Sequence, residues 1–108
     1  MSALSVLLPL GLRRRFNPEA AGELAATFEL RISEARFAVR VADGTCRVER
    51  RPAPEAAARV SISERDLVRL VTGAAEWTRL LAEERLRLEG DPFLALRFPQ
   101  LFGLRAWR

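Results

Sequence analysis

The last quarter of the chain constrains it most. From Arg85 to Glu89 the residues alternate strictly, Leu86 and Leu88 on one side and Arg85, Arg87 and Glu89 on the other, which is the period of a half-buried strand. Gly90 ends that strand, Asp91 is placed to N-cap the next element, and Pro92 suits a first helical turn, where a missing N–H costs nothing. The helix that follows carries Phe93, Leu94, Leu96, Phe98, Leu101 and Phe102, more bulky apolar surface than one stripe of a short helix needs. Such a surplus asks for a partner surface, and a bound apolar ligand is one candidate.

The same alternation recurs upstream. Phe28, Leu30 and Ile32 point inward against Thr27, Glu29 and Arg31, and Phe37, Val39 and Val41 repeat the pattern against Arg36 and Arg40. Asp43-Gly44 is a strong hairpin signal, because both residues tolerate the positive φ of a type I′ turn. Cys46 and Val48 lie on the return strand, with Arg47 and Glu49 opposite. Residues 51–57, with Pro52 and Pro54, read as a linker, and Val60 with Ile62 marks a fourth strand. Ser63 is an N-cap candidate with Asp66 three residues on; Leu67, Leu70 and Val71 follow at i, i+3 and i+4, and Gly73 ends that helix. A further helix places Trp77, Leu80 and Leu81 on one face. Near the start, residues 3–12 are apolar but hold Pro9 and Gly11, which predicts a short irregular helix; Asn17 caps a turn or two from Pro18 through Leu24. A sheet with one wet face needs helices only on the other. The fold class is therefore α+β, a five-stranded mostly antiparallel sheet with helices on one face.

What the chain lacks narrows its chemistry. Its 108 residues suit one domain with one core. It contains no His, Tyr or Lys, so all 18 basic residues are arginine. The usual general base and metal ligand is missing, as is the usual Schiff-base nucleophile. Cys46, the single cysteine, rules out an internal disulfide and has no His to activate it, so a small buried or half-buried thiol is the expectation. No catalytic residue, metal site or cofactor is expected. The Leu4–Leu12 run is too short to span a bilayer, and Arg13-Arg14-Arg15 follow it instead of preceding it, unlike a signal peptide. A cytoplasmic location is the default. The formal charge of +4 comes from arginines spread along the chain, with concentrations at Arg13, Arg14 and Arg15 and at Arg105 with Arg108. Each cluster is a candidate for phosphate or an anionic membrane, against the plainer reading of a solvated exterior. Nucleic acid is not an expected partner, because the outward strand positions are Arg, Glu and Thr, not stacking aromatics.

Taken in order, Asn17-Pro18-Glu19-Ala20-Ala21, the Asp43-Gly44 hairpin, Ser63-Glu64-Arg65-Asp66-Leu67, Gly73 and Glu89-Gly90-Asp91 form a series. No single piece is specific, but the ordered set resembles the sterol carrier protein type-two family, over roughly residues 17–102. The resemblance implies one domain over residues 1–108, strand order 3-2-1-4-5, no catalytic residues, and an apolar tunnel between sheet and helices that holds sterols, acyl chains or other lipids. On that basis the candidate cavity residues are Phe28, Leu30, Phe37 and Val39 on the sheet, and Leu67, Leu70, Val71, Trp77 and Leu80 on the middle helices. Phe93, Leu96, Phe98, Leu101 and Phe102 join them from the last helix. The same residues would also make a closed core. Glu83-Glu84 stands where many relatives carry a Ser-Gly or Gly-Lys turn, and the C-terminus lacks a Ser-Lys-Leu peroxisomal address. A bacterial stand-alone member, carrying a bacterial lipid, quinone or isoprenoid in preference to a sterol, is the implied protein. The alternative is an accessory subunit, for which ubiquinone-biosynthesis factors of similar fold are a precedent. Its protein partner, or a second copy, would meet Leu4–Leu12 and Leu101–Trp107.

Overall fold

Five alternating segments become strands: β1 (Ala26–Ile32), β2 (Ala35–Ala42), β3 (Thr45–Glu49), β4 (Ala58–Ile62) and β5 (Leu86–Gly90). The computed structural model describes residues 3–105, with side chains from Leu7 onward; expectations for Trp107 and Arg108 lie outside the described residues. The strands pair in the order β3-β2-β1-β4-β5, as the family resemblance implies. β1 and β4 run parallel and every other pair is antiparallel. Asp43 and Gly44 turn β2 into β3 with φ of 53° and 69°, the left-handed pair that a type I′ turn requires.

Helices cover one face: α1 (Ala3–Arg15), α2 (Pro18–Ala21), α3 (Glu64–Thr72), α4 (Trp77–Ala82) and α5 (Pro92–Leu101). Three of them start on the caps written in the sequence. Asn17 Oδ1 accepts the Glu19 N–H at 3.0 Å, Ser63 Oγ accepts the Asp66 N–H at 3.1 Å, and Asp91 Oδ1 accepts the Phe93 N–H at 2.9 Å. Gly73, at φ 82°, ends α3 in the left-handed region. α1 runs three residues further than its sequence suggests, in spite of Pro9. Leu8 and Leu12, one turn apart, are buried in the common core, and that burial outweighs the local helix-breaking residues.

Phe98 of α5 sits at the centre of the core. Its ring meets Phe28 edge-on at 5.5 Å, stacks on Trp77 at 5.8 Å and tilts against Phe102 at 4.9 Å. Such aromatic contacts add about 0.5–1.5 kcal/mol each beyond the area they bury.

The outer face of the sheet departs from the simple alternation. Glu29 belongs to the polar set of β1, yet it is buried, because the 51–57 stretch folds over it and is no free linker. The Ala53 N–H donates to Glu29 Oε2 at 2.6 Å, Arg31 Nε donates to Oε1 at 2.6 Å, and Arg59 Nε stands 3.5 Å from Oε1. Burial alone would raise the Glu29 pKa; the Ala53 N–H and the two guanidiniums hold it below the ordinary carboxylate value instead. Asp66 is the second buried carboxylate. Arg85 grips it with Nε at 2.9 Å and Nη2 at 3.1 Å, Arg69 adds Nη1 at 3.1 Å, and the Arg85 hydrogen bonds lead in lowering its pKa against the effect of burial.

Candidate functional site

An open apolar groove of about 330 Å³ runs between α1 and α3. On α3 its wall is Glu64, Leu67, Val68, Val71 and Thr72, which fall at i, i+3, i+4, i+7 and i+8 and so form one helical stripe. On α1 it is Leu7, Leu8, Gly11, Leu12 and Arg15. Leu8, Leu12 and Leu67 turn to the core and form the floor, whereas Leu7, Val68 and Val71 stay 61%, 54% and 40% exposed. A side chain on Gly11 would meet nothing within 4 Å, so the glycine keeps this wall low. Arg15 does not swing freely: its Nε donates to the Phe102 carbonyl at 3.0 Å and its Nη2 to the Gly103 carbonyl at 2.9 Å.

The groove can hold an alkyl chain by dispersion and exclusion of water, and its volume is that of a small-molecule site. Its wall holds no His, Cys, Lys or Tyr; Glu64 and Thr72, with Arg15, are its polar members. Cys46 lies elsewhere, on β3, and burial pushes its thiol up to about 11, with nearby Arg13 opposing only in part. Among the described residues, no group of three or more His, Cys, Asp or Glu is placed to hold a metal ion.

Of the cavity residues expected from the sequence, Leu67 and Val71 line this groove. Phe28, Leu30, Phe37, Val39, Leu70, Trp77, Leu80, Phe98, Leu101 and Phe102 are each 2% exposed or less and belong to the packed core cluster. Phe93 and Leu96 lie on the far side of α5, 79% and 52% exposed. Helical geometry explains the split. Ala95, Phe98, Pro99 and Phe102 follow i, i+3, i+4, i+7 toward the sheet, so Phe93, Leu96 and Gln100 face away. The apolar surplus of α5 is thus partly uncovered, at Phe93 and Leu96. The arginine cluster divides as well: Arg13 and Arg14 are exposed on the last turn of α1, while Arg15 is tied to the chain after α5.

Leu7, Leu8, Leu12 and Val68 were missed as site residues. Leu8 and Leu12 at i, i+4 were the available signal, but Pro9 and Gly11 argued for an irregular segment with no defined face. From sequence alone α3 reads as one inward stripe of Leu67, Leu70 and Val71, which leaves Val68 outside it. In space its outer edge, Val68 with Val71, faces α1.

No described helix is long and apolar enough to cross a membrane. Searched against curated proteins, the sequence has no match. Among solved structures, the fold is similar to palmitated SCP2L2 from Aedes aegypti, at 15% identity over 100% of both chains and a TM-score of 0.76. It is also similar to the UbiJ-SCP2 ubiquinone synthesis protein, at 18% identity, 91% of this chain, 84% of that chain and a TM-score of 0.63. The sec-alkylsulfatase Pisa1 from Pseudomonas sp. contains a similar fold at 16% identity and a TM-score of 0.72, over 90% of this chain. The chain spans only 15% of the alkylsulfatase's length. The model of the SCP-2 sterol transfer family matches residues 11–103, and the chain belongs to that family.

Proposed function

We propose that this chain is a non-catalytic carrier of a hydrophobic ligand, held along the α1–α3 groove. The observation that carries this reading is a walled groove whose side chains remain apolar and uncovered: Leu7, Val68 and Val71 would leave water on binding. Membership of a sterol transfer family supports it, as does the name of one similar structure, which is a palmitated protein. A single acyl or isoprenoid chain suits the narrow lining of aliphatic side chains. Arg13 and Arg14, exposed where α1 ends, would steer the groove toward an anionic bilayer for loading.

A fluorescent fatty-acid probe tests the assignment. Wild type should bind it saturably, and Val68→Asp and Val71→Asp should each abolish binding while the fold persists, since both sites already meet solvent. Unchanged probe affinity in both variants would remove the groove from the function.

A second reading, an accessory subunit, is favoured by one observation. Phe93 and Leu96 form an exposed apolar spot on α5, away from the groove. Sedimentation separates the two readings: a carrier remains a monomer with lipid bound, and an accessory subunit enters a stable complex through α5.

A further inference from the structure

The sheet has a second cavity, of about 340 Å³, lined in part by residues of the polar face and so distinct from the α1–α3 groove. Its makers come from separate strands. Arg31 of β1, Ser61 of β4 and Arg87 of β5 stand side by side in register, and Arg36 of β2 is paired directly with Arg31. Three arginines in one row across four strands repel one another unless an anion joins them. Arg85, just before β5, adds a third guanidinium to the lining beside Arg31 and Arg87, and Ser33 and Ser63 add hydroxyls.

The local charge does not cancel. Glu29 is shared by Arg31 and Arg59, and Asp66 is shared by Arg69 and Arg85. Of these arginines only Arg31 and Arg85 line the cavity, and with Arg87 they set three guanidiniums against one lining carboxylate. Arg87 is exposed and makes no ion pair among the described residues, and Glu84 is the single acidic residue in the lining. The two carboxylates also hold their arginines in place. Arg31 binds Glu29 through Nε alone, and Arg85 binds Asp66 through Nε and Nη2, so Arg31 keeps both Nη groups for a ligand and Arg85 keeps Nη1. Guanidiniums held in this way, with serine hydroxyls beside them that can also donate, form a donor-rich surface of the kind that recognises phosphate.

We propose that this cavity is an anion site for a phosphate or diphosphate group. It is independent of the hydrophobic groove, which lies on the helical side, and it stands whether or not the groove carries lipid. The ligand chemistry is a phosphorylated molecule, either free or displayed as a lipid headgroup.

The test is amide NMR of the full chain titrated with inorganic pyrophosphate at constant ionic strength. Saturable shifts are expected at Ser33, Ser61, Ser63 and Arg87, with no comparable response to sodium chloride. Arg87→Gln should weaken pyrophosphate by about tenfold, the loss of one charge-assisted contact, with an unchanged melting temperature. Ser61→Ala, a second mild change, should weaken it less. Shifts that follow chloride equally, or an affinity untouched by Arg87→Gln, would overturn the site. Co-sedimentation with phosphatidylcholine vesicles containing phosphatidic acid assigns the source. Vesicle binding displaced by pyrophosphate means a headgroup ligand; no displacement means a free phosphorylated one.

Discussion

Two apolar regions of this molecule, one built of aromatic rings and one of aliphatic side chains, end up in opposite states. Around Phe98, the rings of Phe28, Trp77 and Phe102 close the space between α5 and the sheet, and each is at most 1% exposed. Between α1 and α3, Leu7 stands across an open groove from Val68 and Val71. Large rings interdigitate and fill; short branched side chains on two separate helices leave a channel. Apolar character alone therefore does not locate a ligand. The proposed site is instead apolar surface that the fold has walled but not filled.

The comparison breaks most visibly at its packed end. Phe98→Ala removes the ring at the centre of the core and should cost about 3–5 kcal/mol, a large part of the stability of a domain this size. Leu101→Ala, fully buried in the same cluster, should follow at about 2–5 kcal/mol. Thermal or urea melts check both. Probe binding by the folded fraction should survive either change. A small loss at Leu101 together with altered probe affinity would mean that the core side opens to ligand after all.

The buried carboxylates provide a test by pH. Both Glu29 and Asp66 have their pKa lowered in the folded chain. Their contribution to stability is thus present above the ordinary carboxylate values of 4.5 and 3.8, and is lost as pH falls through the lower folded values. Asp66→Asn should remove its share at neutral pH, about 1–3 kcal/mol, and flatten the acid limb of the stability curve. An acid limb unchanged in Asp66→Asn would show that the Arg85 and Arg69 contacts are worth nothing to the fold. The groove wall, which holds only Glu64 among acids, should bind a neutral alkyl probe equally well until the protein unfolds.

How much of this was legible beforehand differs by level. Strands, hairpin and caps could be read because each rests on local chemistry: alternation, Asp43-Gly44, Asn17, Ser63, Asp91; the strand order is a tertiary fact that only the family resemblance implied. The burial of Glu29 could not, since it depends on residues 51–57 folding back across the sheet, and nothing local says where a Pro-Ala-Pro stretch will lie. The groove was only half legible. Leu67 and Val71 carry the right period, but which edge of α3 stays open depends on where α1 docks, a tertiary fact. The α5 surplus misled for a simpler reason: counting its apolar residues ignored their angular positions, and Phe93 and Leu96 fall opposite Phe98.

At the groove itself, changes should act on binding far more than on folding. Val71→Ala takes two methyls from a side chain already 40% exposed, so the fold should lose less than about 1 kcal/mol. Probe affinity should drop several-fold, and an alanine at Phe98, which costs the fold far more, should leave it alone. If Val71→Ala proves as destabilising as a core truncation, the groove closes in solution and the contrast between the two regions fails.

The smallest effect belongs to the face of α5 that touches neither region. Phe93→Ser and Leu96→Ser alter side chains that are 79% and 52% exposed, away from the sheet and from the groove. Little burial is lost, and serine's weaker helix preference costs only a few tenths of a kcal/mol, so each melt should stay within about 0.5 kcal/mol of wild type. Probe affinity should not move. Because neither readout responds, the double variant isolates whatever else this face does. If the chain is a carrier alone, the variant should sediment, melt and bind as wild type does. If it is an accessory subunit, the complex recovered with the chain from its host should disappear while lipid binding persists, since an exposed aromatic beside a leucine is the kind of anchor that interfaces bury. A variant that loses lipid binding instead would join α5 to the ligand path, and the line drawn between packed and open regions would have to move.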